Sequence, residues 1–342
     1  MKIEHGAVYV QTNDGEQKEI VAFRRTAEGR LQQAGAVATG GRGSGKAHLA
    51  SQGSVVLHNG WVLVVNASSD DVSILATDGA TLTPVDRVAS GGSTPTSIAV
   101  HGRLAYVLNT GDEPNVTGFE IGEDGRLVRL GGGTRPLGVG SDPAQVAFSP
   151  DRRTLVVTDR AQDSIHAFAL DESGRLGEGV TYPSSGATPY GFDFRPDGTL
   201  VVTEAAGAEI GQASASSYAL GGPAQLQPIA GPVGNTRSEV CWAVVSRDGR
   251  YAFVTNFGDG TISTYSIADD GRIELRDAVA ATTVDGQPGI RDEALTRDGR
   301  FLYALHADSR QVFGWEVGGD GSLVPIGAVD GLPATAAGLA AS

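Results

Sequence analysis

A single cysteine, Cys241, among 342 residues excludes an intrachain disulfide, so the fold does not depend on an oxidising compartment. Basic residues are few beside acidic ones: 26 Lys and Arg against 40 Asp and Glu give a formal net charge of −14. That balance argues against a nucleic-acid partner, since phosphate binding needs a concentrated basic surface, and it disfavours an anionic membrane. No apolar run is long enough to span a bilayer, and the N-terminal MKIEHGAVYVQTND has no apolar stretch of signal-peptide length. A soluble cytoplasmic protein is the expectation. Long amphipathic helices are missing too, as are a Gly-x-Ser-x-Gly elbow, a His-Glu-x-x-His pair and a cysteine cluster for zinc. GGRGSGKA (Gly40 to Ala47) fits part of a phosphate loop, but Ala47 stands where a magnesium-holding Ser or Thr belongs and a strand follows instead of a helix.

What the chain does have is glycine, 49 of them with 15 prolines, spread along its whole length. Such a composition suits many short strands joined by tight turns. Six segments, from Ser54, Ser97, Gln145, Gly191, Ala243 and Glu293, share one grammar. An apolar strand leads to a polar turn, often Asp-Gly-Arg. A second apolar strand ends on a polar residue, and a third alternating strand precedes another Asp-Gly-Arg-like turn. The spacing is roughly fifty residues, that of four-stranded propeller blades. The seventh unit is split: AVYVQTN, EIVAFRR and LQQAGAVAT open the chain, while AAGLAAS at the far terminus reads as a first strand with nothing after it. Sharing one blade between the termini removes two free sheet edges. The expected fold is therefore all-β, a seven-bladed β-propeller of four-stranded antiparallel blades, residues 1–342 forming one domain whose ring the C-terminal strand closes. After Glu204 one segment carries AAGAEIGQASASSYAL, an enlarged loop between its second and third strands.

In an antiparallel blade the start of strand one and the end of strand two lie at the same edge. One face of the ring should therefore gather the residues closing strand two, Asn13, Asn66, Asn109, Asp159, Glu204, Asn256 and His306, with the segments leading into strand one. Those segments carry His48 and Gln52, Asp142 to Gln145, Thr188 to Tyr190, Arg237 to Trp242, and Gly289 to Asp292 with Arg291. A channel mouth with convergent polar groups suits a small ligand. Asparagines at strand ends read as turn-capping residues. Glu204 suits a general acid or base if crowding by Asp159 raises its pKa, and His306 suits a proton shuttle; each equally suits a solvated turn or an ion pair with Arg160 or Arg237. His48, in HLASQGS, fits a buried structural role as well as a functional one, and Trp242 fits the core as well as a stacking platform. Scattered oxygen ligands around the mouth would suit calcium, but blade repetition yields the same pattern without a metal, so no cofactor is expected.

FSPDRRTLVVTD, SRDGRYAFVTN and TRDGRFLYALH, SGATPYGFDFRPDG followed by VVTEAAG, and the CWAVV strand together resemble the lactonase family of seven-bladed propellers, over essentially the whole chain. That family includes bacterial 6-phosphogluconolactonase and carboxymuconate lactonizing enzymes. HLASQGSVVL and SGGSTPTSIAVHG are similar to a bacterial branch lacking part of the family's catalytic set. The resemblance implies lactone hydrolysis or cycloisomerisation by a histidine, a glutamate and anion-holding arginines at the mouth. Glu204 matches the family glutamate, and Arg237 falls within one residue of a family arginine. The family histidine before the SPD turn is here Ala144-Gln145, and the Pro-Arg-His lead-in is Pro189-Tyr190-Gly191. The expected enzyme is lactonase-like and acts on a small anionic or oxygen-rich cyclic ester. Glu204, His48 and His306 are its expected catalytic groups, with Arg237, Arg291, Tyr190, Trp242, Gln52, Gln145 and Asp159 contacting a small-molecule substrate. The alternative is a non-catalytic propeller binding a small molecule or a protein on the same face. Oligomeric state is not legible.

Overall fold

Turn chemistry repeats before any tertiary contact is considered. Between strands one and two, Ser149, Ser246 and Thr296 donate their hydroxyls to Asp151, Asp248 and Asp298 at 2.6–2.7 Å. The same carboxylates accept the backbone N–H of Arg153, Arg250 and Arg300 two residues on. Gly249 and Gly299 supply the left-handed φ that closes these turns, and Arg152 adopts it at the matching place in the Ser149 turn. Each turn thus returns the chain as an antiparallel partner of the strand it has just left.

The structure, a computed structural model, describes residues 6–46 and 48–342, so Ala47, on which the phosphate-loop reading turned, lies outside the described residues. Among the described residues, twenty-eight strands form seven four-stranded antiparallel sheets. Numbered as blades in chain order, their innermost strands are Ala336–Ala341, Val55–His58, Pro95–His101, Pro143–Phe148, Pro189–Phe194, Val240–Val245 and Ile290–Leu295. Blade 1 is the split unit: Ala336–Ala341 pairs with Ala7–Thr12, which pairs with Glu19–Arg25 and then Leu31–Ala38. The register sets Val8 opposite Ala341 and Val10 opposite Leu339, and Ala7 and Ser342 exchange bonds through the Ser342 N–H and hydroxyl. The expected closure is therefore the one present, and all seven blades belong to one ring.

Apolar side chains alternate along the inner strands and fill the seams between neighbouring blades. Across the closing seam, Val8, Val10 and Phe23 of blade 1 pack on Phe301, Tyr303 and Leu305 of blade 7, all 2% exposed or less. Burying each such side chain contributes roughly 1.5–3 kcal/mol, so the split blade is held by its core as firmly as by its ladder. Outermost strands such as Leu31–Ala38 face solvent along most of their length. The enlarged loop of blade 5 runs from Ala205 to Ala213 and includes a short 3-10 turn, Ala206–Ala208.

Candidate functional site

The inner strands are not regular where they begin. Register shifts fall between Pro95 and Ser97, Pro143 and Gln145, Pro189 and Phe192, Val240 and Ala243, and Ile290 and Asp292. A bulge leaves an extra residue outside the ladder and re-aims its side chain. The re-aimed residues just after each strand start are Thr96, Ala144, Tyr190, Cys241 and Arg291. Blades 3 and 4 spend this position on small residues. Blades 5, 6 and 7 spend it on a phenol, a thiol and a guanidinium, and these three line a mouth cavity of about 650 Å³ with His48, Asp142, Arg160, Glu239 and Phe257.

His48 reaches the cavity from the segment before blade 2, and its Nδ1 lies 2.7 Å from Arg291 Nη1. A guanidinium only donates, so Nδ1 accepts and the proton of the neutral ring sits on Nε2. Solvent touches the ring, yet the cavity wall removes enough water, with Arg291, Arg160 and Lys46 adding positive charge, to push its pKa down to about 4. His48 is thus a neutral imidazole at neutral pH. Arg291 stands over Phe257, its Cζ 4.7 Å from the ring centroid. Burial is also the main influence on its acidity, pulling its pKa down, although a guanidinium stays charged throughout the physiological range. Arg160 is braced by Asp142 at 2.6 Å and stands over Tyr190 at 5.0 Å. Burial pushes up both the Tyr190 phenol and the Cys241 thiol, so each is a neutral hydrogen-bonding group here. Glu239 has no ion-pair partner among the described residues and is half-buried at the cavity edge. Its φ of 53° is left-handed, as are those of Thr94 and Thr188 just ahead of their own inner strands, so this conformation belongs to the lead-in turn.

Of the residues expected at the mouth, His48, Arg291 and Tyr190 line this cavity. Glu204 does not. It is fully buried, with Oε1 accepting the Gly186 N–H at 3.0 Å and Oε2 the Ser214 hydroxyl at 2.7 Å. Burial raises its pKa and those bonds pull it back; Asp159 has no part in the shift. The other strand-two ends are also taken up by hydrogen bonds, Asn13 by the lead-in to blade 2, where it donates to the Ser44 hydroxyl and to the Lys46 and His48 carbonyls. Asn66 bonds Asp71 and Ser73, Asn109 bonds Asn115, and Asn256 bonds Thr261 and Ser263, all on third strands. Asp159 faces His166 at 3.3 Å and accepts the Asp142 and Ala161 N–H groups, while Arg160 pairs with Asp142 instead of with it. His306 is buried with Nδ1 accepting the Ser309 N–H. Side chains alternate along a strand, and at this register the last residue of strand two is spent on the third strand or on a neighbouring connecting segment and does not face the cavity. Arg237 is held by Asp259 at 3.2 Å away from the cavity, and Trp242 is core, 1% exposed, its ring edge-on to Tyr190 at 5.7 Å.

Gln52 and Gln145 lie on the channel beyond the mouth. Gln52 Nε2 donates to the Ala243 carbonyl at 2.8 Å and Oε1 accepts the Ala243 N–H at 3.1 Å, a reach from blade 2 to blade 6. Gln145 makes the same pair of bonds to Phe192 on the next blade. Gly191 makes room for Gln52: a Cβ there would stand 2.7 Å from Gln52 Oε1 and 2.5 Å from the Cys241 carbonyl. Sequence reasoning singled out neither Arg160, Glu239 nor Cys241 as site groups, although Glu239 and Cys241 lie in the lead-in to blade 6. Aligning the five lead-ins on their first strand residue puts Cys241 in register with Tyr190 and Arg291, a signal already in the chain.

The family described as Lactonase, 7-bladed beta-propeller, matches residues 58–210 and 205–330. Among solved structures, a candidate 6-phosphogluconolactonase of Bacteroides uniformis superposes with a TM-score of 0.77 at 18% identity, over 99% of this chain and 100% of that one. Its counterpart from Bacteroides fragilis gives 0.74 at 19%, over 100% and 99%. The periplasmic gluconolactonase of Pseudomonas aeruginosa gives 0.74 at 17%, over 98% of each chain. At such identities these likenesses speak for the fold alone. No curated protein matches the sequence. The family match spans blades 2 to 7 almost entirely, on a ring closed as that fold requires, and the chain belongs to the lactonase family of seven-bladed β-propellers.

Proposed function

We propose that this chain opens a small anionic or oxygen-rich cyclic ester in the mouth cavity, by hydrolysis or by the related isomerisation. The observation that carries the reading is the Arg291–His48 contact, because it fixes a neutral imidazole with its Nε2 proton available beside a half-buried guanidinium. Such a pair suits a carbonyl oxygen that becomes negative as the carbonyl carbon is attacked. Arg160, braced by Asp142, adds a second cation for a substrate carboxylate or other anionic group. In hydrolysis, Glu239 takes a proton from water as the water oxygen bonds the carbonyl carbon. When the ring C–O bond breaks, that proton passes to the departing alkoxide and an open hydroxy acid leaves. The step uses no cofactor.

Acid release from a panel of sugar and muconate-type lactones tests the reading. Turnover of at least one, lost in Arg291→Ala, supports it. Saturable binding without acid release from any compound would make the cavity a recognition site instead of a reaction site.

A further inference from the structure

The other end of the channel has the opposite chemistry. A second chamber of about 500 Å³, opening on the face away from the mouth, is walled by the inner strands, including Val55, Leu57, Ile98 and Phe194. Three carboxylates line it: Asp193, Asp292 and Glu293. Two of them are occupied. Asp193 accepts the Val245 N–H and Asp292 the Leu339 N–H, each at 2.8 Å, tying an inner strand to the next blade. Glu293 is different. It is 2% exposed, and neither carboxylate oxygen has a hydrogen-bond partner among the described residues.

Its position in the repeat sharpens the exception. Glu293 stands opposite Ala304, and the residues opposite the matching positions of the second strands, Val107, Val157, Val202 and Val254, are Ile98, Val146, Phe192 and Ala243. Four blades place an apolar side chain where the seventh places an acid. An unpaired buried carboxylate is costly, and an apolar residue would serve the core better. The one basic side chain lining the chamber is Arg247, exposed at its rim, where Nε donates to the Arg297 carbonyl; His101 is the other titratable group there. No set of three ligating side chains among the described residues is spaced to grip a bare metal ion. An ammonium group needs no such shell. It needs acceptors, and its alkyl chain needs apolar walls.

We propose that this chamber binds a primary alkylammonium, its head against Glu293 and its chain along the apolar wall. The site is separate from the mouth cavity and independent of the reaction assigned there. The test uses the whole chain with n-butylammonium chloride, and with n-butanol and calcium chloride as comparators, followed by calorimetry at pH 8 in amine-free buffer. Saturable binding of butylammonium, absent for butanol and weakened at least tenfold in Glu293→Gln, is the expected result. Glu293→Leu, which restores the apolar residue of the other blades, should fold with a raised melting temperature and lose binding altogether. No saturable binding, binding unchanged in Glu293→Gln, or calcium binding in place of butylammonium would each overturn the proposal.

Discussion

The two ends of the channel are built from the same seven inner strands and carry different ionisable groups, arginines set beside acids at the mouth and buried carboxyls at the far end. At the mouth, Arg291 stands on a bulged strand start, His48 on a lead-in segment and Arg160 just past the end of the second strand of blade 4, where the ladder is broken or ended and a side chain can be re-aimed. At the far end, Asp193, Asp292 and Glu293 stand inside regular strand, where alternation alone decides which way a residue faces. The difference teaches where this scaffold lets chemistry vary. The mouth tolerates cations because solvent and a ligand can meet them, whereas the acids at the far end need a neighbouring strand's N–H, a proton or a bound cation.

That contrast breaks most visibly on Glu239 and Glu204. Glu239→Gln should lower kcat on any accepted lactone by about 10²–10⁴-fold, the range for losing a general base. Glu204→Gln should leave kcat within a few-fold, because that carboxylate bonds Gly186 and Ser214 inside its own blade. The reverse outcome would place the reaction at the strand-two ends and empty the mouth cavity of its role. Arginines offer the next largest effect. Arg291→Ala should cost about 10²–10³-fold in kcat/KM, as removal of an oxyanion-stabilising donor does. Arg237→Ala, which breaks only the pair with Asp259, should change kcat/KM little. Equal losses from both would refute the assignment of the cavity wall.

At the far end the comparison is read from stability. Burial pushes the Asp292 carboxyl up to about 8 and that of Asp193 up to about 6. In the unfolded chain both return to roughly 3.9. Between those values the folded chain keeps protons that the unfolded chain has released, so the contribution of these two groups is fully present below about pH 4 and is lost as pH rises through each folded pKa. The expected slope is about 1.4 kcal/mol per pH unit per group within its window. Denaturant melts from pH 5 to pH 8 should show stability falling. Asp292→Asn removes one of these carboxyls and leaves Asp193 and Glu293, whose pKa burial also raises, so it should lessen the slope without abolishing it. A midpoint that climbs with pH in both proteins would mean these acids are ionised and compensated.

Most of the architecture was legible because blades repeat, and repetition reports itself as spacing. The split seventh unit was readable for the same reason, as AAGLAAS fits a first strand and AVYVQTN a second. The site was legible only in part. His48, Tyr190 and Arg291 followed from placing the lead-in segments at the mouth. Glu204 and His306 were misplaced because lying at the correct edge does not say which face a side chain takes, and one step of a strand reverses it. Glu239 and Arg160 were not singled out as site groups because no repeat or motif marks them: Arg160 is placed by its pair with Asp142, and Glu239 by the lead-in turn of blade 6. The far chamber was invisible for a simpler reason: Glu293 is polar in an apolar column, and that column appears only when blades are aligned by register.

The smallest effect concerns the group between the two ends. Gln52 crosses from blade 2 to blade 6 and answers both backbone groups of Ala243, while its own carbonyl accepts the Ser97 hydroxyl at 2.5 Å. Gln52→Ala would leave the buried Ala243 N–H and C=O without those partners, a loss of about 1–3 kcal/mol in unfolding free energy, read from the denaturant midpoint. Gly191→Ala should destabilise through the same contact, since its Cβ would press on Gln52 Oε1 and on the Cys241 carbonyl. Were Gln52 a mouth residue, its loss would cut lactone turnover and spare stability. If it is the channel's cross-brace, stability falls while kcat/KM moves only through the position of Cys241, one residue before Trp242 on the strand it holds.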